Sequence, residues 1–183
     1  AAAPYRGGVI DAVQRVLLRV FRVLPRRVRR WIVRFGTPKY TVGAICIVQR
    51  RDGAILLVRH SYAPRWGTPG GLAKRREPVD IAAARETLEE VNLAVELIGE
   101  PVVVVEPGPR RVDVVFLARP AATAALDDVR PSSPEIVGTA WFLPDELPEL
   151  QPETATALVA LARDGRIDLA GSGLTPSSAR PTR

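Results

Sequence analysis

GTPGGLAKRREPVDIAAARETLEEVNL, residues 67–93, passes from a glycine-rich turn into a helix crowded with carboxylates. Its opening, with Pro69, Gly70 and Gly71, lacks the side chains that would hold backbone away from a ligand or metal. A helix is predicted over 78–91, because proline is favoured in a first helical turn and the charge of Glu77 suits a helix N-terminus. At about 100° per residue, Ile81, Ala84, Leu88 and Val91 form one apolar stripe, while Glu86, Glu89 and Glu90 cluster opposite it. Like charges one turn apart, as at Glu86 and Glu90, cost roughly a few tenths of a kcal/mol in an isolated helix, so the cluster calls for a counter-cation. Oxygen donors without histidine or cysteine favour Mg²⁺, with Mn²⁺ as the alternative, over zinc. Mg²⁺ commonly shares its coordination sphere with substrate phosphates, so phosphate chemistry is indicated. An acidic, solvated helix face is the competing reading of the paired glutamates alone, and the flanking residues decide against it.

Those residues resemble the Nudix box, G-x5-E-x7-R-E-U-x-E-E-x-G-U with U aliphatic. Gly71, Glu77, Arg85, Glu86, Glu89, Glu90 and Leu93 all stand at the required spacings. Thr87 departs at the first aliphatic and Asn92 at the final glycine; asparagine tolerates the left-handed conformation expected at a helix C-terminus. The resemblance implies an α/β fold, a Nudix-type α/β/α sandwich with a mixed β-sheet, over roughly residues 40–163. It implies Glu86, Glu89 and Glu90 as metal ligands, with the Gly71 carbonyl as a further one. Arg85 would orient a catalytic glutamate, and Glu77 would hold the loop, with a secondary metal role. Glu89, Glu90 and Arg85 are thereby the catalytic candidates. The implied reaction is metal-assisted attack of water on a phosphoanhydride. The implied substrate is a small nucleoside diphosphate derivative: ADP-ribose, a nucleotide sugar, a dinucleoside polyphosphate or a nucleoside triphosphate. The general base is left open among the box carboxylates and Glu106, Asp113 and Glu135 outside it. Pro107 and Pro109 lie near the place where a proline marks ADP-ribose-cleaving relatives.

Outward from the box, YTVGAICIV at 40–48 is apolar on both alternating faces, as befits a central strand covered on both sides. Asp52 and Gly53 supply a hairpin turn into a returning strand at 54–58. Further strands are predicted at 102–105, 112–118 and 136–142, and a helix at 153–163. Arg59, His60, Arg65 and Trp66, just upstream of the glycine turn, are candidate substrate contacts; for each, a bystander or packing role is the plainer reading. The single cysteine, Cys46, has no disulfide partner within the chain and reads as a small core residue. A reduced, cytoplasmic setting follows, and the scarcity of lysine beside abundant arginine suggests a bacterial source.

The charge is unevenly placed. Residues 1–39 hold ten basic residues and one acid, a net +9, so the remainder of this +6 chain carries −3. The basic pI of about 10.4 therefore belongs to one segment, and no specific nucleic-acid partner is expected of the folded body. Val13, Val16, Leu17, Val20 and Leu24 recur at helical spacing among Arg15, Arg19 and Arg22. After Pro25, Val28, Trp31, Ile32 and Phe35 repeat the pattern among Arg26, Arg27, Arg29, Arg30 and Arg34. Two readings compete: packing on the body or on a second copy of the chain, and attachment of residues 9–36 to an anionic membrane surface on the cytoplasmic side. No apolar run reaches about 18 residues, so no transmembrane helix is expected. The organisation expected is a basic helical segment at 1–36, a catalytic domain at 37–168 and a disordered tail at 169–183. A nucleotide sensor that binds without cleaving, and a membrane-attached hydrolase of lipid-linked diphosphates, are the alternative functions.

Overall fold

The computed structural model describes residues 8–36 and 39–174. Its contacts divide it into two compact units, one reaching Lys39 and the other beginning at Tyr40. In the first, helices α1 (Gly8–Val23) and α2 (Arg26–Gly36) are parted by Leu24 and Pro25, as the proline predicts. Pro25 still serves the next helix, its carbonyl accepting the Val28 and Arg29 N–H groups at 2.9 and 3.1 Å.

The second unit is organised by strand β1 (Thr41–Val48). Its alternating residues feed two hydrophobic cores: Ala44, Cys46 and Val48 on one side, Ile45 and Ile47 on the other. Each such branched side chain removed from water contributes about 1.5–3 kcal/mol, so a strand apolar on both faces holds its place only with layers on both sides. Strand β2 (Ile55–His60) does the same, with Leu56 and Val58 in the first core and Ile55 and Leu57 in the second. Short strands β3 (Trp66–Gly67) and β4 (Gly70–Leu72) precede helix α3 (Val79–Val91). Strands β5 (Val95–Glu106), β6 (Arg111–Pro120) and β7 (Ile136–Phe142) follow, then helix α4 (Pro152–Arg163). One sheet is ordered β4-β1-β6-β5, with β1 and β6 parallel and the outer pairs antiparallel, and the other β3-β2-β7. Ala82, Ala83 and Val91 of α3 close the first core, and Ala157, Leu158 and Leu161 of α4 close the second. The expected α/β sandwich with a mixed sheet is the observed architecture.

Several local expectations are refined. The Asp52-Gly53 turn forms, with the Asp52 carboxylate accepting the Ala54 N–H, but beyond a single Gln49–Ile55 bridge the strands part into different sheets. Pairing with β3 and β7 instead leaves both faces of β2 covered. The predicted strand at 102–105 is the end of a much longer one, whose register shifts between Ile98 and Val102, around left-handed Gly99. The stripe Ile81–Ala84–Leu88–Val91 is not the buried face of α3: Ile81 and Leu88 are 55% and 49% exposed, and Ala82, Ala83, Thr87, Glu90 and Val91 are buried. Alanines let the helix lie close on the sheet where isoleucine and leucine would hold it off. Thr87, standing where an aliphatic residue was expected, is accommodated in the core because its hydroxyl donates to the Ala83 carbonyl at 2.8 Å. Asn92 takes the left-handed conformation (φ 55°, ψ 37°) that the sequence requires of it, and its N–H caps the Leu88 carbonyl. Of the expected tail, residues 169–174 are described, and Leu169 and Leu174 pack on the second core; 175–183 lie outside the described residues.

Candidate active site

The register of β4 on β1 sets Gly71 beside Ala44 and Gly70 beside Ile45, laying the glycine turn along the central strand. A Cβ on Gly70 would collide with the Ala44 carbonyl oxygen. One on Gly71 would lie 2.6 Å from the Glu86 carboxyl carbon, so the missing side chain makes room for a carboxylate from α3. One turn further along that helix, Glu90 Oε2 accepts the Gly70 N–H at 3.2 Å. Glu90 is only 7% exposed. Burial, reinforced by Glu86, Glu135 and Glu89 and opposed by the Gly70 hydrogen bond, pushes its carboxyl up to about 7.

Arg85 ties this face together. Its Nε and Nη2 donate to the two oxygens of Glu77 at 2.7 and 2.9 Å, and its Nη1 to Glu86 Oε1 and Glu89 Oε2 at 2.8 and 2.9 Å. The Arg85 bonds, joined by the Lys74 N–H at 2.7 Å, hold the Glu77 carboxyl down at about 2. Glu77 thus bolts the loop at Lys74 to the helix at Arg85. Glu89 is exposed, its other oxygen 3.8 Å from Lys74 Nζ.

Glu86, Glu90, Gly70 and Gly71 line a cavity of about 530 Å³. His60, Tyr62, Thr68, Arg111, Glu135, Gln151 and Glu153 complete much of its wall. Of the substrate contacts proposed upstream of the box, His60 alone lines it. Arg59 lies over the Trp66 ring, Arg65 pairs with Glu149 at 2.7 Å, and Trp66 packs edge-on against Phe142. Gln151 Nε2 donates to His60 Nδ1 at 3.1 Å, which leaves the ring proton on Nε2, and burial lowers the pKa of the imidazole. Of the three carboxylates outside the box, Glu135 lines the cavity and Glu106 does not. Asp113 is buried, with both oxygens accepting from Arg111 Nε at 2.7 and 2.8 Å.

Arg111 is the residue that the sequence pattern allowed and local reading passed over. Arg111 and Asp113 alternate on β6 and so share a face, where the buried aspartate fixes a guanidinium in an otherwise acidic cavity. Tyr62 and Gln151 carried no comparable signal. A larger cavity, about 760 Å³, lies by the β1–β2 turn and the end of β6, where Arg50 pairs with Asp52 and Arg119 with Glu96. Cys46, also in the first core, is inert: burial pushes its thiol up to about 12.

Among the described residues, no three His, Cys, Asp or Glu side chains form a ready metal cage. The reason is visible in the ion pairs, since Arg85 occupies an oxygen each of Glu86 and Glu89. The donors beside the glycine turn nevertheless suit a hard divalent cation: carboxylates and backbone carbonyls, with a buried Glu90 that forms no ion pair among the described residues.

The NUDIX domain family model matches residues 39–162. A MutT-like protein from Streptomyces ambofaciens is 29% identical over 128 residues, covering 70% of this chain and 80% of the relative. The crystal structure of a MutT NUDIX hydrolase from Burkholderia pseudomallei aligns with a TM-score of 0.56 at 32% identity, over 68% of this chain and 99% of that one. An ADP-ribose pyrophosphatase from Streptococcus suis aligns at 0.57 and 26% identity, over 71% and 95%. With that match running through β1, the glycine turn, α3 and α4, the chain belongs to the Nudix family.

Proposed function

We propose that this protein is a divalent-cation-dependent pyrophosphohydrolase, cleaving a phosphoanhydride bond in a nucleoside diphosphate linked to another group. The meeting of Glu86, Glu90 and Glu135 with Gly71 and Arg111 around one cavity carries the reading. Its volume of about 530 Å³ lies inside the range of roughly 300–1,000 Å³ typical of small-molecule sites. Nudix hydrolases generally use divalent metal ions. Glu86, Glu90 and the Gly71 carbonyl would hold Mg²⁺ or Mn²⁺, with Glu89 contributing from the same helix. Bound there, the cation offsets charge on the phosphoryl oxygens and lowers the pKa of water.

The residues of the chain divide the remaining work. Arg111, steadied by Asp113, grips a phosphate. Glu135 accepts the proton of the attacking water, since it lines the cavity and, unlike Glu153 on the same wall, acts electrostatically on Glu90. A new P–O bond forms, and the bridging oxygen departs with the other phosphoryl group. Arg85 and Glu77 are positioning residues that keep Glu86 against Gly71. His60, neutral and donating through Nε2, contacts substrate from the cavity wall.

The test is a hydrolysis panel with Mg²⁺, covering ADP-ribose, nucleotide sugars, dinucleoside polyphosphates, and canonical and oxidised nucleoside triphosphates. ADP-ribose comes first, because the Streptococcus suis relative is a pyrophosphatase for it. One class should turn over, and Glu90→Gln should lower kcat by at least about a hundredfold, the scale on which lost charge stabilisation acts. Tight binding of a nucleotide without turnover would instead make the protein a sensor.

A further inference from the structure

The first unit presents a surface that the hydrolase reading does not use. On α1, Arg15, Arg19 and Arg22 share one side, Leu17 and Val20 lie opposite it, and Val16 and Val23 stand at its border. On α2, arginines at 26, 27, 29 and 30 leave a face of Val28, Trp31, Ile32 and Phe35. These apolar side chains are exposed, Leu17 62% and Trp31 63%, and the Trp31 and Phe35 rings lie 4.9 Å apart with Lys39 over Phe35. Among the described residues, no helix is long and apolar enough to cross a membrane.

From these observations we infer that α1 and α2 lie in the plane of an anionic lipid surface, apolar faces among the acyl chains and arginines at the headgroups. The charge selects the occupant. With ten basic residues and one acid over residues 1–39, a second copy of the segment would bring like charges together. Nucleic acid would meet the arginines but leave Leu17, Val20, Trp31 and Phe35 in water. A bilayer containing acidic lipids answers both faces, and Trp31 and Phe35 suit its interface.

Flotation of the full chain with vesicles tests this. Vesicles of phosphatidylcholine plus phosphatidylglycerol should carry the protein upward, and phosphatidylcholine alone should not. Trp31→Glu with Phe35→Glu should abolish flotation; glutamine at Arg26, Arg27, Arg29 and Arg30 should weaken partitioning by about a hundredfold or more, each nearby arginine accounting for about a fivefold factor. Glu90→Gln should float like the parent, separating this proposal from the hydrolase reading, and an unchanged helical signal in far-UV circular dichroism for each variant excludes loss of α1 and α2. Recovery in the soluble fraction with both vesicle types would overturn the proposal. So would binding that needs the arginines but not Trp31 and Phe35, or loss of flotation caused by self-association through the apolar faces.

Discussion

Glu90 sits where folding would ordinarily exclude an ionised carboxylate, beneath a glycine turn and beside Glu86. Its pKa rises from 4.5 in the unfolded chain to about 7 in the fold, so the native state binds the proton more tightly than the unfolded state does. Stability from this group is fully present below about pH 4.5 and is lost as pH rises through 7. The shift corresponds to about 3 kcal/mol in the metal-free protein. Melting in a chelator should therefore fall by roughly 6–12 °C between pH 5 and pH 8, relative to Glu90→Gln. Taking the difference from the variant cancels His60, whose lowered pKa acts in the opposite direction. Mg²⁺ should recover most of the loss at pH 8 and little at pH 5, and should do neither in Glu90→Gln. Parallel pH curves for parent and variant would show that Glu90 is not the strained group.

At the scale of elements, the site depends on how closely α3 and β4 approach β1. Gly70→Ala would push its new methyl into the backbone of β1, which cannot yield, and should cost roughly 1–3 kcal/mol in stability. Gly71→Ala meets the mobile end of Glu86 instead, 2.6 Å from its carboxyl carbon. That variant should melt within a few degrees of the parent, yet lose up to about a hundredfold in kcat/KM by displacing the carboxylate. Melting curves and initial rates on both variants separate the effects; full activity in Gly71→Ala would remove Glu86 from the machinery. The same closeness explains what could be read in advance. Resemblance to the Nudix box located the Asn92 cap, and spacing located the turn, α3 and the two-sided β1, because each is a local pattern with a local cause. It did not locate the buried face of α3, since hydrophobicity favoured Ile81 and Leu88 whereas the sheet needed the small Ala82 and Ala83. The far wall of the cavity was legible only at Glu135, which stood among the candidate bases. Arg111 and Gln151 reach it through β6 and the entry to α4, and tertiary register has no signature in neighbouring residues.

For the molecule as a whole, both cores of the second unit are built from residues 44–174, and the positive charge resides in the other unit. We therefore expect a chain beginning at Thr37 to fold alone, since it keeps every residue of those cores and every residue lining the acidic cavity. It should melt within about 2 °C of the full chain, because exposed helices add little to a buried core. Its net charge should reverse, as deletion of residues 1–36 removes nine basic residues and one acid from +6, leaving −2. For a soluble substrate, kcat/KM should stay within about twofold at physiological ionic strength, where fields are screened beyond roughly 8 Å. The informative alternative is electrostatic capture: arginines drawing a polyanionic substrate toward an acidic body would raise its on-rate by tenfold or more at low salt. A KM that rises on deletion only at low salt would assign the segment to substrate capture. Unchanged KM at both ionic strengths, with melting preserved, would leave the basic helices free to act on something other than the substrate.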